Sequence, residues 1–182
     1  MKPEGKDTGK KVMVLDTSAF LAGLDPFSLC EDQVTVPAVE AEIQRSSIVC
    51  TRFRTAIENG KVKIRAPHEE FVNGAKTFAR KLGDSYLLSE ADCQLLALAL
   101  ELKAEGCEPK IVTDDYSIQN VATKMGVEFL ALATFGIKRL LEWMRYCPGC
   151  HKEYAADCKT KECLVCGTKL KRKPRRTVKS VN

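Results

Sequence analysis

A chain of 182 residues, 45% of them hydrophobic, has room for one ordinary domain plus a small module, and its composition excludes global disorder. No run of about 18 apolar residues occurs, which excludes a membrane-spanning helix; the polar start from Met1 to Lys11 has no apolar leader centre, so a cytoplasmic protein is expected. The net charge of +5 is unevenly held: residues 147–182 carry ten Lys or Arg against three acids, whereas residues 1–146 carry 19 against 21.

After a polar segment at residues 1–10, β-type runs and helical patterns alternate. Val12–Leu15 is a short apolar run ending in Asp16. Val34–Val36 is a second, closed by Pro37, which suits the first turn of a helix. One helix is expected from Ala38 to Glu58, stopped by Asn59-Gly60. Val62–Ile64 reads as an edge strand or hairpin element, and a helix from Glu69 to Leu82 ends at Gly83. Ser89 opens the strongest helix, Glu90 to Glu105, whose Leu95, Leu96, Leu98, Ala99, Leu100 and Leu102 are apolar nearly all round, the mark of a buried helix. Lys110–Thr113 is a strand, Ile118–Met125 a helix closed by Gly126, and Val127–Phe129 a last strand. This alternation predicts an α/β fold with a mainly parallel sheet flanked by helices. A linking helix within residues 133–146 is expected from the stripe Ile137, Leu140, Leu141, Met144. The tail, residues 171–182, is basic and poor in apolar residues, and is expected to be disordered without a partner.

Ligands bind outside the carboxyl ends of strands in open parallel sheets. Asp16 follows the first strand, Asp114 and Asp115 follow the strand at 110–113, Glu42 falls in the first turns of the helix after Val36, and Asp92 in the first turn of the Ser89 helix. Such carboxylates, if they converge, repel one another unless a cation neutralises them. Oxygen ligands select Mg²⁺ or Mn²⁺, ions that polarise a phosphoryl oxygen and lower the pKa of bound water. With only His68 and His151 in the chain, a Ser–His or Cys–His site lacks a base. Each acid also has a plainer reading. Glu42 can pair with Arg45, with Glu40 as its rival; Asp92 in Ser89-Glu90-Ala91-Asp92 matches a capping box; one of Asp114 and Asp115 can cap the next helix.

Nine cysteines, an odd number, argue against a fully paired disulfide framework, and five of them crowd into residues 147–166. Cys147-Pro148-Gly149-Cys150 and Cys163-Leu164-Val165-Cys166 form two Cys-x-x-Cys pairs, the usual source of a tetrahedral zinc site. The twelve residues between them suffice for one β-hairpin. Cys158 and His151 are left out of the ligand set. Four protein ligands leave no open position, so this zinc is expected to be structural, and residues 147–170 too small to fold without it. The cations Lys169, Lys171, Arg172, Lys173, Arg175 and Arg176 favour a polyanion, RNA before a membrane, because no amphipathic stretch accompanies them.

Val-Leu-Asp-Thr-Ser-Ala-Phe, Val-Pro-Ala-Val-Glu-Ala-Glu-Ile, Leu-Ser-Glu-Ala-Asp-Cys-Gln-Leu-Leu-Ala-Leu-Ala and Ile-Val-Thr-Asp-Asp-Tyr-Ser-Ile-Gln resemble, in order, the motifs of PIN-domain nucleases over residues 11–132. The resemblance implies Asp16, Glu42 and Asp92 as metal-binding acids, with Asp115 the fourth and Asp114 its alternative. A PIN domain followed by a zinc ribbon and a basic tail is similar to the Nin-one-binding protein family of endoribonucleases. That likeness implies hydrolysis of single-stranded precursor rRNA at the 3′ end of the small-subunit RNA, within a pre-ribosomal small subunit. Two other classes stand beside it: a non-catalytic zinc-containing RNA-binding assembly factor, and a toxin-like PIN ribonuclease of tRNA or mRNA.

Overall fold

A computed structural model describes residues 9–44, 47–82, 88–137 and 142–175. Its larger sheet holds five parallel strands in the order β3-β2-β1-β4-β5: β1 Lys11–Leu15, β2 Asp32–Thr35, β3 Val62–Ile64, β4 Glu108–Val112 and β5 Glu128–Leu130. β1 sits in the middle and, after Lys11, is buried at every residue. A strand covered on both faces loses the alternation of a half-exposed one and becomes a continuous apolar run.

Helices supply the cover: α1 Thr17–Leu21, α2 Pro37–Ile43, α3 Ser47–Glu58, α4 Glu69–Leu82, α5 Glu90–Ala104 and α6 Tyr116–Met125. α5 is the central helix, with Leu95, Leu96, Ala97, Leu98 and Ala99 fully buried. No described helix is long and apolar enough to cross a membrane. Gly126 closes α6 in the left-handed conformation, φ 65°, which only a residue without a Cβ adopts freely. β3 is an edge strand paired in parallel with β2, so it belongs to no hairpin.

Three expectations fail. The single helix over 38–58 is two, α2 and α3, the first capped at Gln44. Residues 142–146, expected to be helical, form β6 Glu142–Tyr146; the earlier residues 138–141 of that stretch lie outside the described residues. The tail forms β8 Lys171–Arg175 where disorder was expected, while 176–182, with Arg176, lie outside the described residues, as do Gly83 and Arg45. β6 is the middle strand of an antiparallel sheet, β7-β6-β8, with β7 at Glu153–Tyr154.

The cause is pairing between distant segments, which local periodicity does not contain. All five β6 residues pair with β8, Trp143 opposite Pro174 and Arg145 opposite Arg172. Two of the β8 cations, Arg172 and Lys173, are engaged by β6 and β7. The Arg172 guanidinium lies 4.2 Å from the centre of the Trp143 ring, and Lys173 lies 5.0 Å from that of Tyr146 while bonding Glu153 Oε1 at 2.8 Å. β8 lies at an edge, the one place where Pro174 fits a sheet.

Leu96→Ala leaves a cavity at the heart of α5 and lowers stability by about 2–5 kcal/mol in urea unfolding. A value under about 1 kcal/mol would mean that α5 is not the packing centre.

Candidate active site and thiol cluster

β1 and β4 end side by side, and the chain turns immediately into polar residues. The Asp16 amide donates to Val112 O at 3.2 Å, carrying the pairing one step past β1, so Asp16 stands at the carboxyl edge of the sheet. Its side chain is buried, at 6% exposure, and accepts three short hydrogen bonds: Thr17 N to Oδ1 at 2.7 Å, Ser18 Oγ to Oδ2 at 2.6 Å and Thr113 Oγ1 to Oδ2 at 2.8 Å. Burial raises the Asp16 pKa, and the donors from Ser18, Thr113 and Thr17 offset only part of the rise.

Asp92 reaches the same place from α5. Both halves of the capping box are present: Ser89 N donates to Asp92 Oδ2 at 2.7 Å and Asp92 N to Ser89 Oγ at 3.2 Å. Burial raises its pKa as well, Ser89 opposes the rise, and the charges of Asp115 and Asp16 add to it. The charges of Asp115 and Asp16 thus bear on Asp92. Glu42 is exposed on α2 and joined to this group through Thr17, whose hydroxyl donates to Glu42 Oε2 at 2.6 Å. The side chain of its rival Glu40 accepts only a long bond from Gln44 Nε2 among the described residues, at 3.4 Å.

Asp114 and Asp115, adjacent in sequence, do different things. The Asp114 carboxylate is filled by one loop, accepting from the amides of Leu132, Ala133 and Thr134 at 2.9–3.1 Å and from Thr134 Oγ1 at 3.1 Å. Burial works against its ionisation, but the Thr134, Ala133 and Leu132 donors prevail and lower its pKa. Asp115 is exposed, caps α6 by accepting from Ser117 N at 2.6 Å, and has its own amide bonded to Thr113 Oγ1 at 3.1 Å. Gln119, fully buried, ties the loop further: its Nε2 donates to Thr113 O at 3.0 Å and its Oε1 accepts from Ile137 N at 2.9 Å.

Sequence reasoning missed this polar collar. Thr17, Ser18 and Thr113 flank the acids within the quoted motifs, and a hydroxyl beside a buried carboxylate is the signal that could have found them. No three of the described acids close as tightly as the cysteines do. An open arrangement suits an ion that keeps several waters and takes one or two carboxylates directly.

The thiols form the compact group. The Sγ atoms of Cys147, Cys150, Cys163 and Cys166 all lie within 4.8 Å of one another, with Cys147–Cys166 and Cys150–Cys163 at 3.4 Å. Four sulfurs in such a cluster fit a tetrahedral ion bound at about 2.3 Å. The expected hairpin between the pairs is absent, because β7 pairs with β6 around the first Cys-x-x-Cys; the second pair is closed by the bridge Glu162–Lys169. Tyr154 was also missed as a thiol partner. Its hydroxyl accepts from Leu164 N at 3.1 Å, lies 3.0 Å from Cys163 Sγ, and draws that thiol down to about 6, towards the thiolate that binds metal.

Residues 13–102 match the family described as the PIN domain of ribonuclease. Over 167 residues the chain is 38% identical to Endoribonuclease Nob1 of Pyrococcus abyssi, spanning 92% of this chain and 96% of that one. It is 37% identical over 163 residues to Endoribonuclease Nob1 of Methanocaldococcus jannaschii, spanning 90% and 78%. The 20S-pre-rRNA D-site endonuclease nob1 of Schizosaccharomyces pombe is 33% identical over 94 residues, 51% of this chain and 24% of that one.

The pKa directions give a test in chelator. A carboxyl raised by folding takes stability away as pH climbs from its unfolded value, about 3.9, through the higher folded one. Asp16→Asn removes that loss, so the variant melts a few degrees above the parent near pH 7 and loses the advantage below about pH 4. Equal melting temperatures across the range would show that Asp16 is not penalised by burial.

Proposed function

The chain belongs to the Nob1 family of endoribonucleases, and on that premise we propose that it cuts single-stranded precursor RNA of the small ribosomal subunit at its 3′ end, within the assembling particle. In this reading Asp16, Glu42, Asp92 and Asp115 hold Mg²⁺ or Mn²⁺, and Cys147, Cys150, Cys163 and Cys166 hold one structural Zn²⁺. The observation that supports it most is the set of hydroxyl links at the carboxyl edge of the sheet, Thr17 to Glu42 and Thr113 to both Asp16 and the Asp115 amide. A divalent cation there would relieve the repulsion and supply Lewis acidity to the phosphodiester and to an attacking water.

The chain's own residues do the rest. Thr113 and Ser18 fix the direction of an Asp16 oxygen, and Thr17, the residue after Asp16, holds Glu42. Thr113 also sets Asp115 by holding its amide. Asp114, spent on the loop 132–134, is the weaker candidate for fourth ligand. Lys169, Lys171, Arg172, Lys173 and Arg175 present charge along the ribbon for phosphate contacts that weaken as salt rises. Lys173 and Arg172 meet their β6 and β7 partners as well, so RNA binding there competes with contacts inside the sheet.

The decisive experiment is cleavage of a small-subunit rRNA 3′-end precursor with Mg²⁺ or Mn²⁺ added or chelated. Asp16→Asn and Asp115→Asn are expected to lose more than the roughly 10–100-fold that outer-shell substitutions remove, with RNA binding intact. Asp114→Asn should lower the melting temperature and lose less activity than Asp115→Asn. The reverse ranking would hand the fourth position to Asp114, and undiminished cutting by Asp16→Asn would end the metal-site reading.

A second measurement concerns the thiols. Purified protein should carry one zinc per chain by elemental analysis, and Cys163→Ser should lose it and leave β6–β8 open to protease. Zinc-free parent protein with a protease-resistant ribbon would refute the assignment.

A further inference from the structure

Three surface hollows share lining residues between the ribbon and the start of α5. The first, of about 270 Å³, is lined by Trp143, Arg145, Lys161, Lys169 and Arg172. The second, of about 420 Å³, shares Trp143, Met144 and Ala156 with it and reaches α4 at Arg80 and Lys81. The third, of about 780 Å³, shares Arg80 with the second and runs past Lys76 to Ser89 and Pro37. Ser89 is the residue whose amide holds Asp92, so the last hollow opens at the rim of the acids.

Lys76 and Arg80 stand one helical turn apart and project from one face of α4. Both are exposed, and neither enters an ion pair among the described residues. Of the acids along the way, Glu142 is paired with Lys124 and Glu153 with Lys173, while Glu90 accepts from the neutral Gln94 and keeps its charge. Glu69 and Asp157 remain, the former at the far end of α4. The ribbon face that carries Tyr154 and Arg175 is thus linked to the start of α5 by two hollows that share Arg80, with Lys76 beyond it. A polyanion crossing from one to the other would meet both cations.

We propose that Lys76 and Arg80 form a phosphate track on α4 that leads single-stranded RNA from the ribbon to the acids. The proposal rests on RNA being the substrate of that site. Lys76 and Arg80 touch backbone phosphates only, so they add affinity and direction without base preference. They are positioning residues: their effect falls on KM and grows with the length of RNA able to lie in the groove.

The test uses the full chain with zinc and Mg²⁺, and RNAs of about 16 and about 4 nucleotides, the extremes of common single-strand site sizes. Binding is read in an Asp16→Asn background so that cutting does not interfere. The pair Lys76→Gln with Arg80→Gln should reduce the salt slope for the longer RNA by about 1.4, at about 0.7 per lost contact. The pair Lys76→Glu with Arg80→Glu should weaken its binding at least tenfold and, with Asp16 intact, raise KM while sparing kcat. The shorter RNA should change less than twofold, as should both RNAs with Lys61→Glu, an exposed control.

An unchanged salt slope and affinity in the glutamine pair would overturn the track and leave the face to an acidic protein segment. So would equal losses for the long and short RNAs, or an equal loss with Lys61→Glu. If the glutamate pair does not fold by circular dichroism, the glutamine pair decides alone. A parent chain that binds the longer RNA but leaves it uncut with either metal would refute the acid assignment, and the track would still be judged by binding.

Discussion

Everything at the carboxyl edge of the larger sheet depends on one buried carboxylate, that of Asp16. A charge removed from water is tolerated only when other dipoles replace the lost hydration, and here an amide and two hydroxyls do so. Those donors come from the residues that start α1 and from the end of β4, so ordering Asp16 also orders both turns. Asp92 arrives under the same penalty, and its helix start contributes the Ser89 amide. Asp16 and Asp92 are thus held in place by donors that the fold itself supplies.

The second sheet solves a different problem. Its strands are too few and short to bury a core, and their cations would ordinarily favour an extended, solvated chain. Aromatic faces on β6 and the carboxylate of Glu153 take up Arg172 and Lys173, while the four thiols bring both turns together. Order there is produced by side chains acting across strands, with little help from apolar burial.

This contrast explains what could be read from residues alone. The parallel sheet was legible because each of its strands and helices is a local pattern: the run before Asp16, the apolar cylinder of α5, the Ser89 cap. The places of Asp16 and Asp92 were legible for the same reason, one directly after an apolar run and one in a capping sequence. β6 and β8 were not, because their pairing joins Glu142 to Arg175 across more than thirty residues, and the stripe from Ile137 to Met144 has a helical period of its own. The division of labour between Asp114 and Asp115 was equally hidden. It depends on the backbone of residues 132–134 folding back, which no spacing near 114 encodes.

That returning loop has a mechanical meaning. The segment leading to the ribbon is moored twice, by Asp114 to residues 132–134 and by Gln119 to Ile137, and both moorings bear on the strand end that carries Thr113. Thr113 in turn grips Asp16 and the amide of Asp115. Any displacement of residues 132–137 is therefore felt at Asp16 and at the Asp115 amide. One threonine thus ties the backbone ahead of the ribbon to two acids of the larger sheet, so neither can shift without the other.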